Sequence, residues 1–109
     1  METQTALFAL VVRFNLRSGA EPAFDNLIRR TVAQIRANEP GTLVYDCHAV
    51  EGAPRQRIFY ELYSSQAAFN THEHQEYVQR FLAEREELLE SYEVDFLNHV
   101  DGTTSTAGE

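Results

Sequence analysis

The sequence predicts an α+β chain of ferredoxin-like order, β-α-β-β-α-β, whose four strands form one antiparallel sheet. Three observations carry that prediction. Two one-sided apolar stripes of helical period stand at 24–35 and 77–89; two strand-like runs joined by a short polar link, 42–50 and 56–63, lie between them; and a further run stands at each end, 6–16 and 92–100. A chain of 109 residues is long enough for one domain and too short for two.

The first run, 6–16, places Phe8, Leu10, Val12, Phe14 and Leu16 on one face and Leu7, Ala9, Val11, Arg13 and Asn15 on the other. Both faces are apolar for most of its length. Two amphipathic helices can cover only one face of such a sheet, so the contiguous patch of Leu7, Ala9 and Val11 predicts a homodimer with sheets packed face to face.

A turn follows at 17–22, with Gly19 free to take positive φ and Pro22 suited to the first turn of a helix. The helix is expected over 22–38, its stripe being Phe24, Leu27, Ile28, Thr31, Val32 and Ile35. Asn38-Glu39-Pro40-Gly41 stops it, because Pro40 cannot continue a helix and Gly41 tolerates the reversal.

Strand 42–50 alternates Leu43, Tyr45, Cys47 and Ala49 against Val44, Asp46, His48 and Val50. The polar link 51–55 makes it the hairpin partner of strand 56–63, which carries Ile58, Phe59, Tyr60, Leu62 and Tyr63. Ser64 and Ser65 offer hydroxyls to cap a short helix over 65–74, on which Ala68, Phe69 and His72 share a face. A longer helix is expected over 75–91, with Tyr77, Val78, Phe81, Leu82, Leu88 and Leu89 inward and Arg85 interrupting the stripe. Tyr92, Val94 and Phe96 alternate with polar residues in the last strand. The domain is expected to fill 1–100, and 101–109, which carries almost no apolar side chain, to be a disordered tail.

A formal net charge of −8 argues against nucleic-acid and anionic-membrane partners, since both select basic patches. The late acidic cluster, Glu84, Glu86, Glu87, Glu90, Glu93 and Asp95, reads as a solvated helix face. No window is long and apolar enough to span a bilayer, and nothing near Met1 resembles a signal peptide. The single cysteine, Cys47, excludes an internal disulfide and fits a reducing cytoplasm. Successive strand side chains point to opposite faces, so Cys47 and His48 do not form a nucleophile–base pair, and Cys47 is assigned to packing.

The ordered chain from Leu7 to Phe96 resembles the antibiotic biosynthesis monooxygenase family, small proteins with a dimeric α+β barrel fold. The residues that carry the resemblance are Leu16-Arg17-Ser18-Gly19 after the first strand, Phe24 opening the helix, Glu39-Pro40-Gly41, Tyr60-Glu61-Leu62-Tyr63, Ala67-Ala68-Phe69, and His72. The resemblance implies a cavity between helices and sheet. Phe8, Leu10, Val12 and Phe14 would line one side of it, opposed by His72, Tyr77 and Phe81, with Tyr45 and Phe69 as further substrate contacts. His72 falls where most of the family has histidine, while Tyr77 stands where many relatives have a second one. In the haem-degrading branch, Val12, His72 and Leu82 would occupy the positions of an asparagine, a tryptophan and an iron-ligating histidine. Leu82 cannot ligate iron and the chain has no tryptophan, so that branch does not fit.

The five glycines stand singly, without a nucleotide or flavin fingerprint, so no cofactor is expected. The leading expectation is a cofactor-independent monooxygenase in which a deprotonated quinol-, anthrone- or polyketide-like aromatic itself reduces dioxygen. His72 is the candidate base, because imidazole titrates near working pH. Tyr77 is the first candidate hydrogen-bond donor and Tyr45 the second, with Tyr60 and Tyr63 behind them. The alternatives are a non-oxidative isomerase or cyclase on a small carbonyl compound, and a non-catalytic small-molecule-binding dimer. No metal is expected at His72, Glu73, His74 and Glu76, because residues two apart on a helix point in nearly opposite directions. Glu61 is read as a structural carboxylate that could pair with Arg13.

Overall fold

Alternation along β1 (Phe8–Leu16) divides the molecule into a helix side and an open side. In this computed structural model residues 6–103 are described. β1 leads through Gly19, at φ 81°, to α1 (Glu21–Asn38), followed by β2 (Thr42–Val50) and β3 (Ala53–Tyr63). Then come α2 (Gln66–Glu73), α3 (Glu76–Glu84), a single 3₁₀ turn at Arg85–Leu88, and β4 (Leu89–Leu97). The sheet has the order β2-β3-β1-β4 and all its pairs are antiparallel, as the ferredoxin-like pattern requires.

The helix side of β1 seals the core. Leu10, Val12, Phe14 and Leu16 pack with Phe24, Leu27 and Ile28 of α1 and with Phe59 and Tyr63 of β3. Phe14 stands at the centre, 5.0 Å from the Phe59 ring and 5.5 Å from that of Phe24. Full burial of each such side chain contributes about 1.5–3 kcal/mol. On the open side Ala9, Val11 and Tyr60 remain partly exposed, while Leu62, beside Ala9 in the β1–β3 register, is buried.

Three expected boundaries move. The hairpin link is the two-residue turn Glu51-Gly52, with Gly52 at φ 82°, because β3 begins at Ala53 rather than 56. The helix expected to reach 91 stops at Glu84, and Leu88 and Leu89 lie in the 3₁₀ turn and at the start of β4. Helical spacing survives a tighter turn over so few residues, which is why the stripe overran the helix. β4 therefore spans Leu89–Leu97 instead of 92–100, and the exposed acidic cluster lies mostly on the 3₁₀ turn and β4, with Glu84 alone on α3. Of the expected tail, residues 101–103 are exposed without regular structure, and 104–109 lie outside the described residues.

Gly41 does not take positive φ, contrary to the expected reversal. Its role is spatial: a Cβ there would stand 2.8 Å from the Cβ of Ala68 and 3.3 Å from the Ser64 hydroxyl. This close approach lets α2 settle against the end of α1.

Candidate functional site

Glu39 ends α1, its N–H bonding the Ile35 carbonyl at 2.9 Å while its backbone leaves helical geometry at φ −125°, ψ 83°. Pro40 then prevents continuation. The Glu39 side chain is turned inward and is 3% exposed. Oε1 accepts from the Thr42 hydroxyl at 2.6 Å and lies 2.8 Å from Nδ1 of His72; Oε2 accepts from the Tyr77 hydroxyl. One buried carboxyl thus ties together the end of α1, α2 and α3.

α2 brings the histidine to it. The Ser65 hydroxyl caps the helix by accepting from the Ala68 N–H at 3.0 Å, two turns before His72. His72 is 2% exposed, its ring 5.2 Å from Tyr45, 5.3 Å from Tyr63 and stacked on Phe69. The carboxyl at Nδ1 assigns the proton to that nitrogen and leaves the Nε2 lone pair, which has no hydrogen-bond partner among the described residues.

His72 lines a half-closed cleft of about 290 Å³ between the sheet and helices α2 and α3. Leu10, Val12, Tyr45, Phe69, Val78 and Phe81 supply apolar and aromatic walls, and Tyr92, Val94 and Phe96 of β4 form an exposed flank. Besides His72, three acidic or basic side chains line it, Glu61, Glu73 and Arg85. Glu61, on central strand β3, accepts from the Tyr63 hydroxyl at 2.6 Å, and burial pushes its carboxyl up to about 7. The Arg85 guanidinium stands over Tyr92 at 4.8 Å, Phe14 at 5.0 Å and Phe81 at 5.5 Å. Burial raises the Tyr45 and Tyr63 hydroxyls above their ordinary range, so both stay protonated donors.

A wider groove of about 570 Å³ runs between α1 and β2. One ion pair in it is already made, Arg57 gripping both oxygens of Asp25 at 2.9 Å. The Cys47 thiol on its wall is pushed by burial up to about 12, in keeping with a packing role. The smaller cleft carries the more usable chemistry.

Of the residues expected from sequence, Leu10, Val12, Tyr45, Phe69, His72 and Phe81 meet at the cleft. Phe14 does not: it lies beneath the Arg85 guanidinium in the core. Phe8 packs at the margin, 4.8 Å from Phe69 and 5.9 Å from Phe96. Tyr77 is placed behind His72, bonded to Glu39, and lines a different depression against α1. Tyr60 faces the open side. Arg13 reaches Gln56 at 3.4 Å on that same side, so the suggested pairing with Glu61 is not made. His74 is exposed and donates from Nδ1 to the Asn70 carbonyl, on a different face from His72. Glu39 and Arg85 were not singled out as site residues, yet each carried a signal. A carboxylate is disfavoured at a helix C-terminus by the macrodipole, and a charge on an apolar stripe needs a partner.

The sequence matches the model of the antibiotic biosynthesis monooxygenase family over residues 7–84. No curated protein matches it at a significant level. Among solved structures, PA3566 from Pseudomonas aeruginosa is 25% identical, covering 92% of this chain and 100% of its own, with TM-score 0.82. Rv0793 from Mycobacterium tuberculosis is 24% identical over 91% of this chain and 100% of its own, TM-score 0.83. A candidate antibiotic biosynthesis monooxygenase from Caulobacter crescentus CB15 is 21% identical over 89% and 92%, TM-score 0.84. The last two establish likeness of fold. The family match runs from the start of β1 to the end of α3 and takes in Glu39, Glu61, His72 and Tyr77, so this chain belongs to the antibiotic biosynthesis monooxygenase family.

Proposed function

We propose that the protein is a cofactor-independent monooxygenase that oxidises a small electron-rich aromatic of quinol, anthrone or polyketide type, with His72 as the base. Family membership supports a monooxygenase-type function on a small molecule. The observation that carries the finer reading is the buried Glu39–His72 pair at 2.8 Å, whose histidine borders an aromatic cleft. A carboxyl at Nδ1 fixes tautomer and ring orientation and stabilises the imidazolium formed when Nε2 takes a proton. The absence of a cofactor rests on the sequence, whose glycines stand singly. A volume of about 290 Å³ sits at the small end of ligand sites, roughly 300–1,000 Å³, and suits a substrate of two or three rings.

For an anthrone-like methylene, His72 removes one proton and the resulting anion passes an electron to dioxygen. Recombination forms the C–O bond, and the peroxide takes the proton back from His72. Loss of the second C–H proton with cleavage of O–O then gives the carbonyl and one water, so that CH₂ and O₂ become C=O and H₂O. Tyr45, protonated and beside His72, supports orientation of the substrate oxygen.

The protein is proposed to act as a homodimer, one domain over 1–100, joined through the open side of the sheet where Ala9, Val11, Tyr60 and Leu97 gather. Among the described residues no helix is long and apolar enough to cross a membrane. Sedimentation should return twice the chain mass, and Val11→Asp should return the monomer.

The presence of Glu61 in the same cleft as His72 favours one second reading, a proton-shuttling isomerase. Oxygen uptake by the purified, metal-free protein across a panel of quinols and anthrones separates the two. His72→Ala should lower uptake roughly 10²–10⁴-fold. Uptake that ignores the substitution removes His72 as the base, and turnover of a carbonyl compound that persists without oxygen replaces the oxygenase with the isomerase.

A further inference from the structure

We infer that Glu61 is the acid that works with His72: a neutral carboxyl group that gives its proton to the oxygen leaving the peroxide. This rests on the oxygenase reading above and assigns a second proton-transfer residue to the same cleft. The geometry is that of a donor held ready. Glu61 projects from central strand β3, opposite Leu10 of β1 and Tyr45 of β2, and is 6% exposed. Its Oε1 takes the Tyr63 hydroxyl at 2.6 Å. Oε2 has no hydrogen-bond partner among the described residues and is not sealed off, which leaves it open to the cleft that Glu61 lines. A protonated carboxyl fits this arrangement, because Oε1 remains the carbonyl acceptor for Tyr63 while Oε2–H donates.

The charged and titratable groups around it agree. Burial is the largest effect and raises the carboxyl to about 7; the Tyr63 bond opposes it, Glu73 of α2 and Glu39 add to it, and Arg85 on the 3₁₀ turn opposes it. Tyr45 stays protonated, so no anion from β2 competes. In the peroxide step His72 takes the C–H proton, its electron pair becomes the new C=O bond, and O–O breaks heterolytically. The departing hydroxide takes the Glu61 proton and leaves as water, and the proton on His72 returns to Glu61 through solvent. A carboxyl protonated near neutrality performs that donation far better than one ionised at 4.5.

Glu61→Gln keeps the shape and an acceptor for Tyr63. It should lower kcat roughly 10²–10³-fold with KM within about threefold, and abolish the fall in rate above pH 7 expected of the unaltered protein. Glu61→Asp, which retains the acid one methylene further back, should keep that alkaline fall and covers the case in which the glutamine variant does not fold. A Gln variant with kcat within threefold, or with its alkaline fall intact, overturns the assignment. A second measurement needs no turnover: the infrared carbonyl band of a protonated carboxyl, identified by its loss in Glu61→Gln, should persist to about pH 7. Its disappearance near pH 4.5 in a protein that consumes oxygen overturns the role of Glu61 alone. No oxygen uptake by the unaltered protein with any substrate instead overturns the oxygenase reading, and the proton delivery to the departing oxygen with it.

Discussion

Oε1 of Glu39, where α1 ends, lies 2.8 Å from Nδ1 of His72 on α2, and both side chains are almost wholly buried. Neither element is close to the other in sequence, and the contact exists because Pro40 ends one helix while Gly41 lets the next pack against the turn. A base is thereby built from a helix terminus. The remaining oxygen of Glu39 is spent on Tyr77, so α3 is fastened to the same point.

Glu39→Gln should separate fixing the tautomer from filling space. Glutamine can still accept from one neighbour, but its amide places a donor where a carboxylate oxygen stood, and the imidazolium loses its counter-charge. Oxygen uptake should fall roughly 10²–10⁴-fold, comparable to loss of the base itself. Glu39→Ala should do the same and also destabilise, since three donors, one buried and two part-buried, lose their acceptor, at about 1–3 kcal/mol for the buried one. Uptake in the glutamine variant within tenfold of the unaltered protein would remove Glu39 from the mechanism.

Tyr77→Phe tests whether the phenol acts in the cleft. Its hydroxyl bonds Glu39 and faces away from the substrate walls, and both the burial and that bond raise it above its ordinary range. The substitution should therefore act only through Glu39, with stability falling by about 1 kcal/mol and kcat by less than tenfold. A loss as large as that of His72→Ala would put the hydroxyl among the reacting atoms instead.

Periodicity made the layers legible. Alternation in β1 and the stripe of α1 reproduce most of the core, with Phe8 and Val32 only partly buried, because burial on one face is what those periods encode. The overrun at 85–91 arose where a stripe continued through a 3₁₀ turn, which periodicity cannot distinguish from helix. For the site, helical spacing put Ala68, Phe69 and His72 on the inner face, and His72 is there. It could not tell that Tyr77 would turn to Glu39, since that depends on the angle between α2 and α3 and on where α1 stops. Phe14 was placed in the cleft by the family resemblance together with strand alternation, whereas the guanidinium of Arg85, arriving from the 3₁₀ turn, covers it.

Gly41→Ala should move α2. The added methyl would sit 2.8 Å from the Cβ of Ala68, so the helix bearing His72 must shift by a few tenths of an ångström or more. Overpacking of this kind costs about 1–3 kcal/mol. Ala68→Gly in the same chain should recover most of the loss, and the thermal melts of the two single variants and the double variant form the cycle that checks it. Additive effects would mean that this contact does not set the position of α2.

Stability should carry the signature of Glu61. Its carboxyl rises from 4.5 to about 7 on folding, chiefly by burial, so between those values the native chain holds a proton that the unfolded chain has released. Stability then falls as pH rises: the contribution is complete below 4.5 and is lost as pH climbs through about 7. The loss is on the order of 3 kcal/mol, an upper value because the cleft admits water. Glu61→Gln has no such proton to lose. Melting curves of the two proteins should lie closest at pH 4.5–5 and diverge up to pH 8, where the variant should melt higher by an amount of the order of 10 °C. Other titrating groups, the Asp25–Arg57 pair among them, are common to both chains and cancel in the difference. A constant gap across that range would mean that Glu61 is ionised in the folded protein throughout, and that the cleft offers a second carboxylate where a proton donor is needed.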